Sequence, residues 1–411
     1  MTQTVQGPVA AGRPGPRTPT GAPPPRPDAR AHRFRRRLER LLGVPMTQDN
    51  ALVPLRNGDE IFTAMLAAIR SAEHSVDLMT FVYWRGPVAR AFAVELARRA
   101  RAGVRVRLLL DGFGSRLIER DLLSLMEAAG VRIGWFRRPL SLSPLKQNHR
   151  CHRKVLVVDE TVAFTGGVGI GEEWCGDARS AAEWRDTHVS VRGPAVDGLA
   201  AAFAQNWAEC RGELVAAGDR FPEQPPSGTA AVQVVRGSAG YGWQDMQTLF
   251  RLVLESAEER VRLTTAYFSP HPSFAELLGA TARRGVEVDL LVPGPHTDKP
   301  VCRSAGRLLY GDLLAAGVRV WEYRPTMMHA KVVTVDRVLS LVGSSNLNRR
   351  SLEHDEEVML AVLDEEFTAT LDRHFERDRA SSEAVDEEEW RRRPLAQRLR
   401  EASVLPIRRF L

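Results

Sequence analysis

The chain has 411 residues, of which 44% are hydrophobic and 26% charged. This length allows two or three domains, and the composition excludes a globally disordered or fibrous protein. The net charge of +6 is concentrated at the ends, because residues 1–43 hold nine arginines against two acidic residues and residues 391–411 hold seven against one. The mildly acidic body argues against a cationic nucleic-acid groove, and the basic ends favour an anionic surface, membrane lipid above all.

Four cysteines without regular spacing predict free thiols in a reducing compartment, and neither a zinc site nor a disulfide framework. We expect no secretory signal, since residues 1–31 are rich in Pro, Gly and Arg without an apolar segment. No run of about 18 apolar residues is present to span a bilayer. A protein of this kind that works at a membrane is expected to be peripheral.

The N-terminal region, residues 1–43, is predicted to be a disordered basic tail that ends in a short amphipathic helix. Residues 1–31 contain eight prolines, which predicts disorder. From Arg33 onward, apolar residues recur at helical spacing between arginines: Phe34, Leu38, Leu41 and Leu42. This helix either lies on a membrane or docks on the body of the protein.

The body repeats itself on either side of a turn-rich linker at residues 222–228. SAEHSVDLMTF from Ser71 matches SAEERVRLTTAYF from Ser256, and AAGVRIGWF around Gly130 matches AAGVRVWEY around Gly317. Helices that end at Gly and lead into β-branched strands predict an α/β fold with a largely buried sheet. We therefore expect two duplicated halves, residues 44–221 and 229–380, followed by a basic amphipathic tail at 381–411.

The last matching element carries the chemistry. It reads His152-Arg-Lys154-Val-Leu-Val-Val-Asp159 in the first half and His329-Ala-Lys331-Val-Val-Thr-Val-Asp336 in the second, 177 residues later. The whole chain has only four lysines, and two of them lie in these motifs.

On a strand, His and Lys two residues apart point to one face. An ammonium neutralises a phosphate oxygen, and an imidazole can attack phosphorus or donate a proton. Two such pairs suit a phosphodiester displacement that needs one nucleophile and one general acid, with no metal or cofactor.

The chain resembles the phospholipase D superfamily, whose duplicated HxKxxxxD motif these residues reproduce. Within it the chain is most similar to bacterial cardiolipin synthases, through NGDEIFTAMLAAI, DGFGS, NHRCHRKVLVVD, AFTGG, WRDTHVSVRGPAV, HAKVVTVD and GSSNLNRRS. The resemblance implies two α-β-α sandwich halves related by a pseudo-twofold axis, with both motifs in one shared active site.

The resemblance also implies residue roles. His152 is expected to be the nucleophile, through a covalent phosphohistidine intermediate, and His329 the general acid. Lys154, Lys331 and Asn346 would bind phosphate, and Asp186 and Glu357 would orient the histidines. Asp159 and Asp336 complete the catalytic motif, although support of the strand ends suits them better. The tryptophans, among them Trp174 and Trp184, are expected mostly in the core.

Two positions depart from the family pattern. Gly169 stands where the family usually has Asn, which removes one side-chain donor from the first half, and Asn348 stands where the cardiolipin synthases commonly have Asp. Because this donor is missing at Gly169, a catalytically weakened lipid-binding protein remains an alternative.

The resemblance implies a phosphatidyltransferase of the cardiolipin synthase type that acts on phosphatidylglycerol. Its expected place is the cytoplasmic face of the cell membrane, bound peripherally. A phospholipase D hydrolase is the first alternative, and a nuclease is less compatible with the acidic body. No nucleic-acid partner and no metal are expected, and the sequence does not indicate an oligomeric state.

Overall fold

A computed structural model describes residues 27–137, 149–214, 220–238 and 244–407. Most of the predicted disordered tail lies outside these residues. The structure differs from that prediction at its end, because helix α1 already begins at Pro27 and runs to Leu42.

The first half alternates strands and helices after α1. Its elements are β1 Thr47–Arg56, α2 Asn57–Ser71, β2 Ser75–Thr80, α3 Pro87–Arg101, β3 Arg105–Asp111, α4 Arg120–Ala128, β4 Arg132–Phe136, β5 Val155–Val158, β6 Val162–Gly166, β7 Thr187–Arg192 and α5 Ala195–Arg211. The loops after α3 and α4 turn at Gly103 and Gly130, whose φ angles of 89° and 94° favour glycine.

The second half repeats this order. Its elements are β8 Ala230–Gly237, α6 Asp245–Ser256, β9 Arg260–Thr264, α7 Pro272–Arg283, β10 Glu287–Pro293, α8 Pro300–Arg307, α9 Tyr310–Ala315, β11 Arg319–Tyr323, β12 Val332–Val335, β13 Leu339–Gly343, α10 Arg349–Glu353, β14 Glu357–Leu363, α11 Glu365–Ala380, β15 Ser382–Ala384, α12 Glu387–Arg391 and α13 Leu395–Ala402.

The described strands form one 15-stranded sheet in the order β15-β11-β10-β9-β12-β13-β14-β8-β1-β7-β6-β5-β2-β3-β4. Read outward from the central β8–β1 pair, the two halves have the same strand order. β1 and β8 are antiparallel, which joins the halves through their sheets. This symmetric order confirms the predicted internal duplication.

Strand register places the two His-x-Lys segments at equivalent positions of the sheet in the two halves. β2 is parallel to β3 but antiparallel to β5, with Met79 opposite Val155. β9 is likewise parallel to β10 and antiparallel to β12, with Thr264 opposite Val332. Each His-x-Lys segment directly precedes β5 or β12, so it lies at the carboxyl end of the neighbouring parallel strands.

Helix α1 docks on the second half through its apolar face. Phe34 and Leu38 are buried in one cluster with Leu249, Phe250 and Val253 of α6. Arg30 and Arg33 bind Glu259 and Glu258, each with a nitrogen–oxygen distance of 2.7 Å. Of the two expectations for this helix, docking on the body is the one observed.

The C-terminal region is more structured than a tail. β15 pairs with β11 through Trp321 and Ala384, so the second half extends beyond the predicted boundary at residue 380. Trp390 of α12 is buried against Tyr310, with ring centroids 5.1 Å apart. Among the described residues, the structure contains no helix with the length and apolar character needed to cross a membrane.

Candidate active site

The strand geometry presents each His and Lys together. In the first motif, His152 and Lys154 are buried on the site side, while the intervening Arg153 points into the opposite layer and donates to Asn206 Oδ1 at 2.7 Å. In the second motif, Ala330 takes the place of Arg153 between His329 and Lys331. The i, i+2 spacing therefore does what the sequence predicted.

Each catalytic-motif histidine pairs with a carboxylate from the other half of the chain. His152 Nδ1 lies 2.9 Å from Glu357 Oε1, and His329 Nδ1 lies 2.6 Å from Asp186 Oδ2. Each histidine is thus held through Nδ1 by an acid from the other half, and Lys331 Nζ also lies 3.3 Å from His329 Nε2. All four side chains are buried.

Backbone hydrogen bonds also join each histidine segment to the other half. The His152 N–H donates to Glu356 O at 2.9 Å, and the His329 N–H donates to Arg185 O at 2.7 Å. Parallel bridges join Cys151 to Glu356 and Arg185 to Met328. The two motifs therefore lie in one site at the junction of the halves.

The two lysines are buried beside their histidines. Lys154 Nζ donates to His152 O at 2.7 Å, and Lys331 Nζ lies 3.0 Å from His329 Nδ1. Burial lowers the pKa of Lys154 to about 8 and that of Lys331 to about 7. Two buried lysine side chains therefore lie beside the two histidines.

Burial also disfavours charge on both imidazoles. It lowers the pKa of His152 to about 4 against the opposing charge of Glu357, and with the charge of Lys331 it lowers the pKa of His329 to about 3. Burial alone would raise the pKa of Asp186, but the charges of His329 and Lys331 bring it below its usual value. The pKa of Glu357 is likewise held below its usual value by His152, so each histidine lies beside a carboxylate that favours its ionised form.

Asn346 is buried, and its Oδ1 has no hydrogen-bond partner within the described ranges. An amide oxygen only accepts hydrogen bonds, so a group that satisfied Asn346 Oδ1 would have to be a donor. Asn348, the smaller departure from the family pattern, caps α10 by accepting from the Ser351 N–H at 3.0 Å.

Gly169 is explained by packing. A Cβ at this position would lie 2.8 Å from Val82 Cβ and 3.1 Å from Trp174 Cη2. The space that an asparagine would need is therefore filled by the indole of Trp174. That indole donates through Nε1 to Asp186 Oδ2 at 3.0 Å.

The two orienting carboxylates receive different donors. In the second half the Ser344 hydroxyl donates to Glu357 Oε2. The position 177 residues earlier is Gly167, where a Cβ would lie 2.2 Å from Asp186 Oδ1. Besides the contact with His329, Asp186 instead accepts from the Trp174 indole and from the Thr187 N–H at 2.8 Å.

His329 lies among aromatic rings, which the sequence analysis assigned mostly to the core. The ring centroids of Trp174, Trp184 and Tyr267 lie 5.2, 5.3 and 6.1 Å from that of His329. His152 has Phe81 at 5.0 Å. The one available signal was that Trp184 stands two residues before Asp186 in WRD.

Asp159 and Asp336 bind backbone N–H groups at the strand ends, as expected of supports. Asp159 accepts from the backbone N–H groups of Glu73, His74 and Ser75 at 2.7 to 3.2 Å. Asp336 accepts from residues 258–260 in the same way, at 2.8 to 2.9 Å. The reason is strand length, since β5 and β12 carry each aspartate to the end remote from its histidine.

No group of three or more His, Cys, Asp or Glu side chains within the described ranges is arranged to hold a metal ion. The positive charge next to the histidines is that of Lys154 and Lys331.

Comparison with known proteins follows the same two-part division. The family described as "Cardiolipin synthase, PLD-like domain" matches residues 65–184 and 251–379. A cardiolipin synthase of Geobacillus kaustophilus is 32% identical over 364 residues, 87% of this chain and 72% of that protein. Cardiolipin synthase A of Pseudomonas fluorescens is 32% identical over 372 residues, 90% of this chain and 77% of that protein.

Among solved structures, the phosphatidylserine synthase of Haemophilus influenzae Rd KW20 is similar with a TM-score of 0.69. The similarity covers 92% of this chain and all of that chain at 15% identity. At that identity the likeness concerns the fold alone. Together with the family match to two segments of the chain, it confirms the predicted pair of phospholipase D-like halves.

Proposed function

The chain belongs to the phospholipase D-like cardiolipin synthase family and is a phosphatidyltransferase of that family, and from this premise we propose that it converts two phosphatidylglycerol molecules into cardiolipin and glycerol. The observation that carries the proposal is the crosswise pairing of His152 with Glu357 and His329 with Asp186. Two oriented imidazoles beside two buried ammonium groups suit transfer of a phosphodiester through two successive displacements.

In the first displacement His152 is the nucleophile. Its Nδ1 is engaged by Glu357, so Nε2 attacks phosphorus, and a nitrogen–phosphorus bond forms as the bond from phosphorus to the glycerol oxygen breaks. His329 gives its proton to the departing oxygen, which leaves as a glycerol hydroxyl. The product is a phosphatidyl group on His152.

In the second displacement the acceptor is the hydroxyl of another phosphatidylglycerol. His329, now neutral, takes the hydroxyl proton while the oxygen attacks phosphorus. The new oxygen–phosphorus bond forms as the nitrogen–phosphorus bond breaks, which returns His152 to its initial state and completes cardiolipin.

Bound phosphate supplies the protonation that His329 needs. Burial, followed by the charge of Lys331, lowers the pKa of His329 to about 3. A phosphodiester anion between Lys154 and Lys331 neutralises that charge, with Asn346 offering its side-chain amide. Its own negative charge then raises the pKa of His329 toward neutrality.

We place the enzyme peripherally, at the cytoplasmic face of the membrane. The basic C-terminal residues and the free cysteines support this placement. There the enzyme would meet phosphatidylglycerol both as donor and as acceptor.

The test is incubation of the full chain with phosphatidylglycerol vesicles in the presence of EDTA, with lipid products identified by mass spectrometry. We expect cardiolipin and an equal amount of glycerol, because the lysines supply the charge that binds phosphate. Phosphatidic acid as the main product would replace the proposal with a hydrolase. Cleavage of single-stranded DNA without lipid turnover would replace it with a nuclease, and no turnover would leave a weakened lipid-binding protein.

A further inference from the structure

Helix α13, Leu395–Ala402, exposes its apolar residues. Leu395 and Leu399 lie four residues apart, on one face, and are 67% and 61% exposed. In the turn that follows, Leu405 and Ile407 are also exposed. A surface helix in water ordinarily turns such a stripe toward the core.

The buried face of α13 is polar instead. Glu401 is buried and accepts from Arg307 Nε at 3.0 Å and from Arg393 Nε at 2.9 Å. Gln397, one turn earlier, donates to Glu401 at 3.1 Å. Ion pairs therefore fix the orientation of the helix, with the leucines outward.

The other basic end of the chain differs in this respect. Helix α1 buries Phe34 and Leu38, and its Arg30 and Arg33 bind Glu259 and Glu258. Its apolar face is therefore already occupied by the protein. Both basic ends were expected to bind a membrane. Of the two helices, α13 is the one whose apolar face is exposed.

We propose that the outward face of α13, with Leu405 and Ile407, docks on an anionic phospholipid bilayer. Arg398 and Arg400 are exposed on the same helix, which pairs apolar insertion with attraction to acidic headgroups. In the adjoining α12, Glu387 and Glu388 are partnered by Arg391 and Arg392. The proposal rests on the proposed function, for which the bilayer is also the source of substrate.

The position of α13 relates docking to the active site. Arg307 of α8 binds Glu401, while Cys302 of the same helix is buried with Tyr267 beside half-buried Trp184. Tyr267 and Trp184 are two of the three rings that face His329, with Trp174 as the third. One helix therefore separates the docking face from the aromatic wall of the site.

The first half exposes apolar residues near His152 as well. Phe113 and Leu117 are 47% and 41% exposed, in the loop where Ser115 donates to Phe81 O at 2.9 Å. Phe81 in turn contacts His152. Exposed apolar side chains therefore also lie in a loop that contacts the aromatic neighbour of His152.

The test compares the full chain with the double variant Leu395→Gln/Leu399→Gln in sedimentation with vesicles of phosphatidylglycerol and phosphatidylcholine at physiological salt. Because both leucines are exposed, the variant should fold normally. We expect its partition onto these vesicles to fall by about tenfold or more. The matched control, Leu41→Gln/Val94→Gln, replaces residues 47% and 45% exposed on α1 and α3 and should bind as the unaltered chain does.

Equal vesicle binding by both variants would overturn the proposal. So would equal binding to purely phosphatidylcholine vesicles, which would remove the anionic bilayer as the partner. A change from dimer to monomer in Leu395→Gln/Leu399→Gln, with vesicle binding kept, would assign the face to a second copy of the chain. Turnover of detergent-dispersed phosphatidylglycerol should be equal in all three proteins, and its absence from all would count against the proposed function and not against docking.

Discussion

The indole of Trp174 lies where a side chain at position 169 would extend. The indole fills the volume that a side chain at Gly169 would take, and its Nε1–H donates to the carboxylate that holds His329. An interaction of this kind with a charged group is worth about 1.5–3 kcal/mol. Glycine at position 169 therefore leaves room for the Trp174 indole, which donates to Asp186.

Restoration of the family residue should lower activity. In Gly169→Asn the new side chain meets Val82 and Trp174, so the indole must move away from Asp186. We expect kcat to fall by roughly tenfold or more. Gly169→Asn/Trp174→Phe, which lacks the indole N–H in any case, should lose little beyond Trp174→Phe alone. A rise in kcat for Gly169→Asn would show that the first half does lack a donor.

Loss of the indole N–H can be tested by itself. Trp174→Phe keeps an aromatic ring but leaves Asp186 with one donor fewer, so kcat should fall roughly 10- to 150-fold. The carboxylate, held less well as an anion, should also titrate at higher pH, which moves the acid limb of the kcat profile upward. Trp84→Phe is the matched control, since its indole donates to the backbone O of Gly114, and its profile should be unchanged. An unmoved acid limb in Trp174→Phe would reduce Trp174 to a packing residue.

Phosphate affinity should depend on the two buried lysines. Burial lowers their pKa values to about 7 and 8, so both ammonium groups lose their protons as the pH rises through this range. The affinity for a dialkyl phosphate, whose single negative charge stays constant over this range, should therefore be full below about pH 6 and should fall steadily toward pH 9 when measured by inhibition. Lys331→Gln should bind more weakly at pH 6 and lack the first step. Constant affinity between pH 6 and 9 would contradict this.

At the scale of elements, α1 acts as part of the core of the second half. Leu38 is fully buried there, so Leu38→Ala should reduce the free energy of unfolding by about 2–5 kcal/mol. Leu41→Ala, on the exposed side of the same helix, should change it by no more than about 0.5 kcal/mol. Urea denaturation measures both, and equal values would mean that α1 does not dock in solution.

Helical periodicity was enough to predict α1 but not its neighbour. The spacing of Phe34 and Leu38 predicts an apolar face, whereas the surface that covers this face is decided by α6, more than 200 residues away. The same holds for α13, where a buried ion pair with Arg307 turns the leucines outward against their hydrophobicity. Local pattern specifies an element, and tertiary contacts specify its orientation.

At the scale of the whole molecule, the duplicated sequence was enough to predict two halves and a shared site. It could not predict that the carboxylates cross, because the pairing of His152 with Glu357 depends on how one half sits on the other. Nor could it show that Trp174 belongs to the site, since an indole in an apolar context reads as core. The crossing makes the junction of the halves indispensable to both histidines.

The most direct measurement is labelling of the protein by a phosphatidyl ester of p-nitrophenol, with the modified peptide located by mass spectrometry. This leaving group needs little protonation, so the first displacement can proceed without a general acid. We expect His329→Ala to carry a phosphatidyl group on His152, and His152→Ala to carry none. Label on His329 in the His152→Ala protein, or release of p-nitrophenol without label on either histidine, would contradict a covalent transfer through His152.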